Sequence, residues 1–259
     1  MIKKTILLFL GCLLLSSCVS RKKIAYFQNV SEVNLDDTQT YQPAFKPDDL
    51  LMIIVSAPDT EAAIPFNLPA VSVMGANNAS IDLAQSQVQF QTYLVDKEGY
   101  VQLPVIGAFK IGGLSREVAV SGLVNTLKKY IKNPIVNIRI MNYKISVWGE
   151  VMQPGTFVIN SERITLPEAL SKAGDLTVYG LRDKILVIRE IDGKRTHNFV
   201  DITKADFINS PFYYLTQNDL VYVEPNKTKI NSSAVGPNIS IIISAASVIL
   251  SVVVALLLR

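Results

Sequence analysis

Cysteine is almost absent from this chain, and its two copies, Cys12 and Cys18, both lie in the first twenty residues. The body beyond them can form no internal disulfide and offers no thiolate as nucleophile or metal ligand. Histidine is scarcer still, with His197 the only one. A zinc site would have to be built from carboxylates, which suit zinc poorly. A serine–histidine triad would have to use His197, and no Gly-x-Ser-x-Gly elbow accompanies it; the charged stretch Asp192-Gly193-Lys194-Arg195 beside it reads as a hairpin turn. Charge of one sign is also missing: the formal net charge is +3, which gives no support to nucleic-acid binding. Gly107 and Gly112-Gly113 match neither dinucleotide nor P-loop spacing and read as turn residues. Asp48, Asp49, Asp96 and Glu98 sit at strand starts and turns, where acids shape turns; a paired-carboxylate glycosidase site is possible among them but unsupported. The sole tryptophan, Trp148, lies on an alternating strand and reads as core or interface rather than a sugar-stacking platform. No catalytic residue, metal ligand or cofactor is assigned.

What the chain has instead is apolar sequence at both ends. Met1-Ile2-Lys3-Lys4 leads into the apolar run Thr5–Leu15 and then Leu15-Ser16-Ser17-Cys18, the order of a signal peptide ending in a lipobox. Residues 1–17 are expected to be removed and Cys18 to carry the lipid. Cleavage takes away Lys3 and Lys4 and lowers the net charge from +3 to +1. No acid occupies the second mature position, which in Gram-negative sorting favours the outer membrane. Residues 18–40 read as a polar tether. At the other end, Ile239–Leu258 is twenty residues without a charge, enough to cross roughly 30 Å as a helix. A linker over 227–237 and a transmembrane helix over 238–258 are therefore expected. Along that helix Ser240, Ser244, Ser247 and Ser251 fall within an arc of about 60°, opposite Ile242, Ile249, Val253 and Leu256. The serine stripe is a candidate for helix packing or for lining a pore.

Between the ends the pattern is α+β. Leu51–Val55 reads as a buried strand, and 57–91 as a long excursion or weak strands with loops. Thr92–Val95 and Tyr100-Val101-Gln102-Leu103 are strands about the turn Asp96–Gly99. Ser115 caps a helix whose apolar stripe includes Val120, Leu123, Val124, Leu127, Tyr130 and Ile131, stopped by Asn133-Pro134. Val136, Ile138 and Ile140 alternate as one strand, Ile145, Val147 and Val151 as the next, with a domain boundary near Tyr143. The second unit has a Pro154-Gly155 turn, a capping box from Thr165 to Glu168, and a short helix ended by Gly174. Strands over Lys184–Arg189, Phe199–Ile202 and Leu220–Val223 complete a sheet curled around one helix. Lys46-Pro47-Asp48-Asp49-Leu50 and Thr216-Gln217-Asn218-Asp219-Leu220 resemble each other, each placing Asp before a strand.

Three matches make the chain resemble the outer-membrane polysaccharide export family, the Wza-like translocons of capsule and exopolysaccharide. Tyr41–Val55, Tyr93–Gly107 and Gly113-Leu114-Ser115 resemble its export domain, assigned here to 41–143. Gly149-Glu150-Val151-Met152-Gln153-Pro154-Gly155, Leu166 to Gly174 and Asn218–Val223 resemble its soluble-ligand-binding β-grasp domain, assigned to 144–226. The lipobox and terminal helix sit where that family has them; a second β-grasp copy, present in its largest members, is missing. The resemblance implies a lipid-anchored homo-oligomeric ring with its folded body in the periplasm. It would pass polysaccharide across the outer membrane by passive conduction, with an inner-membrane chain-length-regulating co-polymerase as partner. The rival reading is a glycan-binding or scaffold lipoprotein whose terminal helix is only a second anchor.

Overall fold

Alternation and capping build two hydrophobic cores, one on each side of the segment Met141-Asn142-Tyr143. The computed structural model describes residues 24–33, 42–69, 71–73, 87–89, 91–191, 193–234 and 239–258; Cys18 lies outside them. The first unit runs β1 (Leu50–Ser56), α1 (Thr60–Ala63), β2 (Val71–Val73), β3 (Gln87–Gln89), β4 (Tyr93–Leu94), β5 (Tyr100–Leu103), β6 (Gly107–Lys110), α2 (Arg116–Leu127) and β7 (Ile135–Ile140). β1 turns Leu51, Ile53 and Val55 inward and pairs antiparallel with β4 and β7. α2 starts at Ser115, whose hydroxyl accepts from the Val118 amide, and packs fully buried Ala119, Leu123 and Leu127 into the same core. Each such leucine contributes about 1.5–3 kcal/mol.

Three features depart from the expected pattern. The excursion after β1 includes α1, capped by the Asp59 carboxylate, and the β2–β3 hairpin. β6 pairs with β5 around a turn holding Val105 and Gly107 at positive φ. It escaped notice because its alternation spans only four residues. Tyr130, counted in the apolar stripe of α2, is 57% exposed and leans on Phe66.

The second unit runs β8 (Lys144–Gly149), β9 (Gly155–Val158), β10 (Ile164–Thr165), α3 (Leu166–Lys172), β11 (Gly180–Ile191), β12 (Lys194–Val200), β13 (Tyr214–Leu215) and β14 (Leu220–Pro225). Its main sheet has the order β12-β11-β14-β8-β9, with β14 and β8 parallel and the other pairs antiparallel. α3 lays Leu166, Ala169 and Leu170 on the inner face, in one core with Ile145, Val147, Ile185 and Val221. The expected capping box is present: Thr165 Oγ1 accepts from the Glu168 amide, and Glu168 Oε2 accepts from the Thr165 amide at 2.8 Å. Gly149 ends β8 at φ +93, where a Cβ would lie 2.1 Å from the Val223 carbonyl oxygen.

β11 is longer than expected, Val151 forms only an isolated bridge with Leu176, and His197 lies in β12 rather than in the turn. The hairpin reverses between Ile191 and Lys194, within the charged stretch expected as its turn. The α+β expectation matches what is observed. After α4 (Lys227–Ala234) comes α5 (Ile239–Leu258), twenty residues without an acid or base. Among the residues whose side chains are described, no helix is long and apolar enough to cross a membrane. Ile239, Ser240, Ile242, Val254 and Leu256 to Leu258 of α5 fall outside that set.

Candidate functional site at the domain junction

The two similar five-residue segments meet at the joint between the units. In each, the third residue takes a left-handed conformation, Asp48 at φ 68 and Asn218 at φ 65, as Asp and Asn do most readily. Each then turns its aspartate back: the Lys46 amide donates to Asp49 Oδ2 and the Thr216 amide to Asp219 Oδ2, both at 2.8 Å. Asn142 ties the turns together. Its Oδ1 accepts from the Leu50 amide, its Nδ2 donates to the Asp48 carbonyl, and its own carbonyl accepts from Gln217 Nε2. Lys46 Nζ closes the joint on Thr216 Oγ1 at 3.2 Å.

The two aspartates are electrostatically unlike. Asp219, fully buried, accepts from Arg189 Nε and Nη2, the latter at 2.7 Å, and from the Thr216 hydroxyl. Asp49 is 1% exposed with Oδ1 unpartnered. Burial pushes its carboxyl up to about 6, against the downward pull of the Lys46 amide and ammonium.

Residues 24–33 are not the free tether expected within 18–40; they strap the second unit. The Gln28 amide donates to the Thr203 carbonyl at 2.8 Å, and Asn29 bridges the Ala205 amide and Asp206. Phe27 packs on Phe207, and Tyr26 donates to Asp175 at 2.7 Å under the Arg182 guanidinium. Burial, then the bond to Asp175, raises the Tyr26 phenol to about 12. The signal for docking was the Tyr26-Phe27 pair, apolar side chains that gain by covering Phe207 and Ile202.

Residues 37–141 match the family model described as polysaccharide biosynthesis/export protein. The chain is 30% identical over 139 residues to the EPS I polysaccharide export outer membrane protein EpsA of Ralstonia solanacearum, covering 52% of this chain and 36% of the relative. It is 31% identical over 101 residues to the protein of the same name from Ralstonia nicotianae, covering 38% and 26%. The chain thus spans about a third or less of those relatives' lengths. Over residues 37–141 the chain is thus similar to the polysaccharide export protein family.

The match ends at Met141, next to Asn142 of the junction described above. Among the described residues no group of acids and histidine could hold a metal. His197 points its ring edge-on toward Phe199, and Trp148 is 54% exposed beside Tyr222 of β14, so the tryptophan is not a core residue. On α5, Ser247 Oγ donates to the Ser244 carbonyl at 2.8 Å and Ser251 Oγ to the Val248 carbonyl at 2.7 Å. These hydroxyls bond back to their own helix, as serine does where no outside partner competes.

Proposed function

We propose that the protein is a lipid-anchored subunit of a homo-oligomeric outer-membrane channel that exports capsular or exopolysaccharide by passive conduction, its body in the periplasm. The observation that carries this reading is the export-family match over residues 37–141. The second unit, with its central parallel pair β14–β8 and single covering helix, is read as the β-grasp partner of the export domain.

The strap supports attachment at two points. Cys18 lies six residues before Ile24, and six residues span at most roughly 20 Å. A lipid on Cys18 and the helix α5 would then hold the same second unit against one membrane. Self-assembly is supported by a partly exposed apolar row. On the outer face of the main sheet Phe199, Leu186, Tyr222 and Trp148 line up across four strands, with Phe199 and Trp148 exposed, Leu186 and Tyr222 half-buried, and Lys184 Nζ over the Phe199 ring. Contiguous apolar faces and open sheet edges are hazards that a ring would bury. The inner-membrane co-polymerase is the proposed source of energy, since no residue here suggests a covalent step.

The test is genetic and chemical together. A strain lacking the chain should lose surface polysaccharide and recover it with the wild-type gene. Cys18→Ser should leave Met1–Ser17 attached by intact mass and fail to restore export. Unchanged surface polysaccharide in the deletion strain would refute the reading.

A further inference from the structure

A cleft of about 710 Å³ opens between the two domains, within the size range of small-ligand sites and at the kind of place they favour. Its floor is apolar: Phe45, Ile138, Tyr143 and Ile159, all less than a tenth exposed. Its rim is polar, with Gln42 from the export side and Asn160 and Ser161 from the loop between β9 and β10. Three guanidiniums, of Arg116, Arg139 and Arg163, face it against the carboxylates of Glu117 and Glu162. Arg116 spans the cleft to Glu162 at 3.2 Å, and Arg163 lies over the Tyr214 ring. Among the described residues neither Arg139 nor Arg163 has an ion-pair partner, so the cleft keeps a positive excess.

We propose that this cleft binds a short segment of an acidic polysaccharide, one carrying uronic-acid carboxylates. A pyranose presents apolar C–H faces and a rim of hydroxyls, which match the floor and the polar wall. Its carboxylate is the planar acceptor that a free guanidinium pairs with best. A purely apolar ligand would leave the polar rim desolvated, and a simple polyanion would gain nothing from the floor. The choice of a sugar rests on the export reading above; the site itself rests on the cleft.

The experiment is calorimetric titration of the full-length processed protein in mild detergent with trigalacturonate, maltotriose and triglutamate. Trigalacturonate should bind, maltotriose should bind more weakly, and triglutamate should not bind. Arg139→Gln, on the exposed side of β7, should weaken trigalacturonate about tenfold, as loss of one charge-assisted pair does. Asn160→Trp, on an exposed loop, should fill the cleft and abolish binding; Ser161→Trp replaces it if its melting curve shows misfolding. Absence of binding to all three probes, equal binding of triglutamate, or unchanged binding in the cleft-filling variant would each overturn the proposal. The export reading is scored separately, by surface polysaccharide in the deletion strain, so the two fail independently.

Discussion

Arg189 and Asp219 form the one ion pair whose two side chains are both buried among the described residues, and removing one partner strands the other charge. Arg189→Met is expected to lower unfolding free energy by about 3–5 kcal/mol in urea titrations; a loss under 1 kcal/mol would mean that Asp219 finds other compensation. Asp49 carries the opposite problem, a buried carboxylate with one oxygen unpaired. Its folded-state pKa, about 6, lies above the ordinary 3.8, so the native state holds the proton more tightly than the unfolded chain. The stability it contributes is complete below about pH 4, falls as pH rises toward 6, and stays lost above that. Asp49→Asn should therefore gain on wild type between pH 4.5 and pH 7 in paired urea titrations. An unchanged difference across that range would contradict the assignment. The resemblance between the two turns was visible in sequence; that Arg189, thirty residues upstream, pairs with Asp219 while Asp49 keeps one oxygen unpartnered was not.

The elements that were legible are those with long period or a capping signature. The Ser115 cap, the Thr165–Glu168 box and the alternation of β1, β7 and β14 all appear where local chemistry puts them. α1 and β6 were missed because four residues carry too little periodicity, whereas β2 and β3 are the kind of weak strands read into 57–91. The strap was missed for a different reason: its partners Asp175, Thr203 and Phe207 are far away along the chain. The cleft was equally hidden, since its walls come from α2, β7 and a loop of the second domain. On α5 the serine stripe makes a specific claim about an element. Replacing Ser240, Ser244, Ser247 and Ser251 with Leu should leave membrane insertion intact and abolish surface polysaccharide or the assembled complex. Because Ser247 and Ser251 satisfy their hydroxyls within the helix, the loss would arise from bulk at a close helix contact. Normal export in the quadruple variant would reduce α5 to an anchor.

At the scale of the whole molecule, the junction at Asn142 gives the two domains a bonded hinge, and the strap returns the N-terminal segment to the second of them. Both arrangements are compatible with the proposed membrane-anchored subunit. Under that proposal, the partly exposed row from Phe199 to Trp148 would meet neighbouring copies. The measurement that bears most directly on this account is the mass of full-length, lipidated protein in mild detergent, by light scattering with the detergent contribution removed. The account predicts one large species, a whole multiple of the protomer, that persists on dilution and shows a central opening by electron microscopy. A monomer across a wide concentration range would contradict it.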